Sequence, residues 1–220
     1  MSGYGSAIAG GPRPLIAVLD YGIGNLRSAQ KALEKVGADA RLTADHGLIA
    51  DAAGVVLPGV GAFGRCMEAL DDAGLHDVAF EAASAAASGE GRPFLGVCVG
   101  MQMLFDGSDE DPDVPGLGVL GGRVRLLADD VKRPQMQWNI VRWRDGAMLA
   151  AGQPDPCWMY FVHSYWAACA DPADVAGTCD YGGEVTAAVE RGRLSATQFH
   201  PEKSAHNGLH LLEHLVAACA

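Results

Sequence analysis

The sequence predicts an α/β fold three layers deep, with helices on both faces of a central, mostly parallel sheet that runs on into antiparallel strands. Two patterns predict it. In the first hundred residues, short continuous apolar runs alternate with segments of helical periodicity, and an unbroken apolar run is what a strand covered on both faces requires. Beyond residue 105 this alternation gives way to short β-like pieces separated by glycine and proline. The bulk composition permits such a fold: with 220 residues, 49% apolar and 20% charged, one sizeable core can form and wholesale disorder is excluded.

Taken in order, residues 1–13 are small and Gly-rich and read as a flexible leader, leaving 14–220 as a single domain. Pro14 to Asp20 is the first strand, and Tyr21-Gly22-Ile23-Gly24-Asn25 turns it. Leu26, Ala29, Leu33 and Val36 repeat at helical spacing, with Gly37 placed to end the helix. Ala38 to Thr43 and Gly54 to Leu57 follow as strands, then helices over Phe63 to Leu70 and Leu75 to Ser88. The run Pro93 to Val97 is a buried strand, and Met101 to Phe105 opens another helix. The stretch 106–113 is acidic and reads as a solvated loop. Short strands are expected at 122–127, 137–143, 157–162, 165–169, 175–181, 185–190 and 194–199. The leucines between Leu209 and Leu215, with Val216, form the stripe of a last helix.

Several functions are excluded at this level. A net charge of −11 argues against a nucleic-acid or anionic-membrane surface. No apolar run reaches membrane-spanning length. The cysteines at 66, 98, 157, 169, 179 and 219 have no C-x-x-C spacing, which suits a reducing cytoplasm better than a zinc ribbon or a disulfide scaffold. The Gly22-x-Gly24 turn lacks the third glycine of a dinucleotide fingerprint, so a tight turn is the better reading. His206, His210 and His214 step along one helix face without the glutamate of an H-E-x-x-H motif, so no metal is expected there.

Three stretches carry chemistry. Gly96-Val97-Cys98-Val99-Gly100 places a cysteine between small residues at a strand-to-helix turn, the logic of a nucleophile elbow with sulfur for oxygen, and predicts an exposed, strained corner. The helix start favours thiolate there. In Phe199-His200-Pro201-Glu202, proline holds His200 extended, and residues i and i+2 of extended chain share a side. Glu202 can therefore orient the His200 imidazole as a general base. Pro58-Gly59-Val60-Gly61 is a glycine-rich turn after a strand, able to aim a backbone N–H at an oxyanion alongside the N–H of Val99.

Together these motifs resemble the class I (triad) glutamine amidotransferases, and more closely the glutaminase subunits of imidazole glycerol phosphate synthase. The closer resemblance rests on Asp20 to Leu26, Pro58 to Gly64, Tyr160-Phe161-Val162-His163-Ser164-Tyr165, and Phe199 to Ser204. It covers Ile16 to the C-terminus. It implies Cys98 as nucleophile, His200 as acid/base and Glu202 as its orienting group, with Val60 and Val99 at the oxyanion. It also implies Gly59, Gly61, Gln102, His163, Ser164 and Tyr165 as contacts for glutamine, with no cofactor. The implied partner is a (β/α)8-barrel cyclase, docked through Asn25, Trp138, Asn139 and Lys203 and supplied with ammonia. The family's Pro-His-Met-Gly-Trp-Asn reads Pro134-Gln135-Met136-Gln137-Trp138-Asn139 here, which leaves docking detail open in a segment taken to face the partner. The alternatives are another triad glutaminase such as that of anthranilate synthase, a stand-alone cysteine hydrolase, or a non-catalytic binding protein on this scaffold.

Overall fold

Residues 12–220 are described by a computed structural model, and the apolar runs of the first half form its parallel strands. In order come β1 (Leu15–Leu19), α1 (Leu26–Lys35), β2 (Asp39–Thr43), α2 (His46–Asp51), β3 (Gly54–Gly59), α3 (Phe63–Asp72), α4 (His76–Ala87), β4 (Phe94–Cys98) and α5 (Val99–Gln102). The second half adds β5 (Gly122–Leu126), β6 (Gln135–Trp143), β7 (Cys157–His163), β8 (Tyr165–Cys169), β9 (Val175–Asp180), β10 (Glu184–Arg191), β11 (Leu194–Thr197) and α6 (Ala205–Ala218).

Among the described residues nine strands form one sheet in the order β2-β1-β3-β4-β11-β10-β9-β6-β7, and β5 pairs with β8 in a separate ribbon. From β2 through β11 the pairings are parallel; from β11 outward they are antiparallel. The central strands β3, β4 and β11 are buried along their whole length, as continuous apolar runs require. Helices α1 and α6 pack together on one face, and α3 packs with α4. Right-handed crossovers from β1 toward β2 and from β3 toward β4 run in opposite directions along the sheet, which sends α1 and the α3–α4 pair to opposite faces.

Two sequence expectations change. The helix α2 lacks an apolar stripe and was not anticipated; Asp45 caps it by accepting the Leu48 N–H at 2.7 Å. The helix expected over Met101 to Phe105 is instead the single turn of α5, beginning two residues earlier. Of the expected leader, residues 1–11 lie outside the described residues, while Arg13 donates to the carbonyls of Glu34 and Gly37 at the end of α1. No helix among the described residues is long and apolar enough to cross a membrane.

The sheet order positions the site. β4 ends at Cys98 and β11 ends just before His200, and the two strands are parallel neighbours in register from Leu194 opposite Phe94 to Thr197 opposite Val97. β3 flanks β4 on its other side, with Gly59 opposite Cys98. Three chemically loaded stretches, far apart in the chain, therefore leave the sheet at the same carboxyl edge, where open α/β sheets bind their ligands.

Candidate active site

Cys98 sits at φ 56° and ψ −111°, a backbone conformation sparsely populated by any residue with a Cβ and worth about 1–3 kcal/mol of strain. Close packing holds it there: a Cβ on Gly96 would lie 2.9 Å from the Gly100 carbonyl oxygen, and one on Gly100 would lie 1.9 Å from that of Leu57. The strain matches the elbow reading, but the exposure does not. Cys98 is only 4% exposed and meets the outside through a cavity. Because α5 is one turn long, its dipole is a minor influence, and the charge partner of the sulfur is His200.

His200 is extended as the following proline requires, but Pro201–Lys203 then forms a short 3-10 turn rather than continuing extended. That turn brings Glu202 back so that its Oε1 accepts from His200 Nδ1 at 2.8 Å. The ring's backbone is fixed as well: His200 N–H donates to the Tyr160 carbonyl at 3.0 Å, and Ser204 Oγ donates to the His200 carbonyl at 2.6 Å. Nδ1 is thereby occupied, leaving the buried Nε2 free of other protein partners for the Cys98 side. Burial alone would lower the His200 pKa; the Cys98 sulfur and the Glu202 carboxylate outweigh it and raise it to about 9.

A pKa raised above the usual 6.5 means imidazolium is favoured in the folded chain, and that stabilisation is complete below pH 6.5 and lost as pH climbs through about 9. Thermal melts of the wild type and His200→Gln should therefore converge by a few degrees between these pH values, the wild type losing its advantage as pH rises. A constant gap across that window would refute the assignment.

The cavity over Cys98 has a volume of about 570 Å³ and is lined by Val60, Gly61, Val99, Gln102, His163, Ser164, Tyr165 and His200, together with Asn25 and Lys203. Val99 is the first residue of α5, so its N–H has no partner within the helix. Gln102 Nε2 donates to Gln198 Oε1 at 3.0 Å and to the Tyr165 carbonyl at 3.1 Å, which leaves its oxygen for a ligand. His163 donates from Nδ1 to the Tyr165 carbonyl at 2.8 Å. Burial, with the nearby His200 charge, takes its pKa down to about 4, so it is a neutral ring at physiological pH.

Not every anticipated residue reaches the cavity. Gly59 does not line it; packed at the end of β3, it sits where a Cβ would lie 2.7 Å from the Gly100 nitrogen. Glu202 stands behind His200, bordering a small void with Pro58 and Val97. Trp138 and Asn139 lie on β6, away from the cavity; Trp138 is 44% exposed and stacks edge-on against Tyr160, while Asn139 Nδ2 donates to the Asp180 carbonyl. Within the same segment Gln137 is exposed, but Gln135 points inward at 0% exposure and so is not a partner-facing residue.

Two residues went unassigned in the sequence. Gln198 Nε2 lies 3.8 Å from Cys98 Sγ, so the Gln102–Gln198 pair forms a donor chain ending at the sulfur. Glu110 belongs to the loop expected to be solvated, yet it lines the cavity. Its Oε2 accepts the Phe63 N–H at 2.8 Å, and Asp111 Oδ2 accepts the Gly64 N–H at 2.9 Å, so this loop caps α3. On α6, His210 is bonded to Glu213 and to His214, each at 3.3 Å, and among the described residues no group of three or more His, Cys, Asp or Glu is arranged to hold a metal ion.

Cys98 and His200 thus meet at one cavity on the expected sheet edge, with Glu202 behind the imidazole. The family model for glutamine amidotransferase class-I matches residues 17–218. The chain belongs to that family. Among curated relatives it is 48% identical over 207 residues to the imidazole glycerol phosphate synthase subunit HisH of Rhodopirellula baltica, covering 93% of this chain and 98% of that one. It is 45% identical to the HisH of Deinococcus radiodurans, covering 90% and 91%. The class-I amidotransferase fold extends to distant solved structures: PurLQS from Thermotoga maritima superposes with a TM-score of 0.69 at 19% identity, covering 94% of this chain and 98% of that one. Within the amidotransferases the chain belongs with the HisH subunits of imidazole glycerol phosphate synthase, as a glutaminase-type enzyme subunit.

Proposed function

We propose that the chain hydrolyses L-glutamine to L-glutamate and ammonia through a Cys98 thioester and delivers the ammonia to a (β/α)8-barrel cyclase that makes imidazole glycerol phosphate and AICAR in histidine biosynthesis, in the cytoplasm. The observation that carries this is that Cys98 and His200 line one cavity while Glu202, behind the ring, holds His200 Nδ1 at 2.8 Å. The Cys98 thiolate attacks the side-chain carbonyl carbon, and its oxygen gathers charge against the N–H groups of Val99 and Val60. The C–N bond then breaks as His200 gives its proton to the departing ammonia, leaving a γ-glutamyl thioester. Water, deprotonated by His200, attacks the thioester; the C–S bond breaks and glutamate leaves. The nucleophile, the acid/base and the oxyanion donors of these steps all come from the chain, and none of the steps calls for a cofactor or metal.

At the other end of the substrate, Glu110 and the free oxygen of Gln102 suit the α-ammonium group, with Ser164 and Tyr165 beside it. Asn25 and Lys203 of the cavity lining, with Trp138 and Asn139 on β6, would meet the cyclase, and Met136, 62% exposed, adds apolar surface on β6. The test is glutamine hydrolysis by the purified chain, alone and with the cyclase and its nucleotide ligand. Weak hydrolysis alone and strong stimulation by the complex are expected. Full activity without a partner would favour a stand-alone hydrolase instead.

A further inference from the structure

Two buried groups close to the site have no task in this chemistry: the Tyr21 hydroxyl and the Cys66 thiol. Both lie against the strand end Pro58-Gly59-Val60-Gly61. Tyr21 leaves β1 in the turn before α1, and its hydroxyl donates to the Pro58 carbonyl at 2.6 Å. That oxygen also lies 3.0 Å from where a Gly59 Cβ would be, so the ring bears directly on the strand. Cys66, wholly buried on α3, donates from Sγ to the Val60 carbonyl at 3.5 Å, within the longer reach of a sulfur donor. The hydroxyl and the thiol interact with each other as well.

Burial, and then neighbouring groups, push the Tyr21 hydroxyl well above its ordinary pKa; burial likewise pushes the Cys66 thiol up to about 11. Both keep their protons at physiological pH and remain donors. The carbonyls they hold belong to residues 58 and 60. Between them lies one peptide unit, Gly59–Val60, which carries the Val60 N–H and has glycine on either side of Val60. Just beyond, Glu110 and Asp111 hold the N–H groups of Phe63 and Gly64.

We propose that Tyr21 and Cys66 are positioning residues of the oxyanion strand: by anchoring the Pro58 and Val60 carbonyls, they confine its freedom to the single peptide that presents the Val60 N–H. This rests on the glutaminase reading for its chemical consequence. Neither residue touches glutamine, and neither exchanges a proton with it.

The test uses Tyr21→Phe, Cys66→Ala and Cys66→Ser in the full chain assembled with the cyclase. Tyr21→Phe and Cys66→Ala should each lower kcat for glutamine hydrolysis about tenfold, a fraction of the ~100-fold or more that outright removal of an oxyanion donor costs. KM should change less than kcat. Alkylation of Cys98 by iodoacetamide builds no oxyanion, so its rate should stay at the wild-type value. Cys66→Ser, which keeps a donor, should recover most of kcat. Amide hydrogen exchange across residues 57–63 should quicken in Tyr21→Phe and Cys66→Ala. Wild-type kcat in both variants, a parallel fall in alkylation, or unchanged exchange would each overturn the proposal. Failure of the glutaminase reading would show separately, as a wild-type complex that hydrolyses no glutamine, and the exchange measurement would still decide whether the strand is anchored.

Discussion

Cys98→Ala is expected to abolish glutamine hydrolysis while leaving the assembled complex able to use added ammonia. In the proposed mechanism the sulfur forms the bond on which both halves of the reaction depend. His200 is held to Glu202, and the Gln102–Gln198 chain can donate to the sulfur but cannot attack. Removing the nucleophile of a comparable hydrolytic triad costs on the order of 10⁶ in kcat, so a loss of at least ~10⁴ is the expected reading. Stability should change little, since alanine keeps the Cβ and meets the same backbone strain at φ 56°. The variant also removes one of the two partners that outweigh burial at His200, so that imidazole should titrate lower than in the wild type. Full glutamine-dependent turnover by Cys98→Ala would overturn the assignment of the nucleophile; loss of ammonia-dependent turnover would show that the substitution had damaged the assembly itself.

Gly100→Ala should do the opposite kind of damage, to the fold rather than to one step of chemistry. Its Cβ would fall 1.9 Å from the Leu57 carbonyl oxygen and 2.8 Å from the Leu57 carbonyl carbon, both backbone atoms of a strand buried in the middle of the sheet. No side chain can swing aside, so β3 and α5 must separate, and with them Gly59 and Cys98. Overpacking of this kind costs about 3 kcal/mol or more, or roughly 10 °C in Tm for a chain of this size, with activity lost in step. Gly146→Ala is the control. Nothing lies within 4 Å of its Cβ, so only the left-handed backbone at φ +77° opposes it, a cost of about 1 kcal/mol. Equal melting temperatures for the two variants would contradict the close approach at the elbow.

The two halves of the proposed triad were legible because each is written locally. Small residues around Cys98 mark a corner, and Pro201 fixes the residue before it, so short-range sterics suffice to find both. Even there the reason differed: Glu202 reaches His200 through a 3-10 turn and not along extended chain. Glu110 and Gln198 were illegible because their roles are set by partners far along the chain, Glu110 by the Phe63 N–H and Gln198 by Cys98. An acidic run is a solvated surface until some other segment offers it donors. The parallel strands were read closely because burial on both faces leaves an unmistakable apolar run. The six-residue α2 has no such stripe, and the inward turn of Gln135 depends on a strand pairing that local pattern does not encode.

The place of β11 in the sheet has a consequence for how the protein is made. It lies between β4 and β10, yet among the described strands it is the last to leave the ribosome. After Cys98 has emerged, about a hundred more residues must be synthesised before Leu194–Thr197 can cover the side of β4, a wait of about 5–20 s at ordinary rates of translation. Throughout that interval a wholly apolar strand offers an unpaired edge to any nascent chain nearby. Newborn chains are therefore expected to lack the proposed site and to carry an open sheet edge until β11 docks and brings His200 after it.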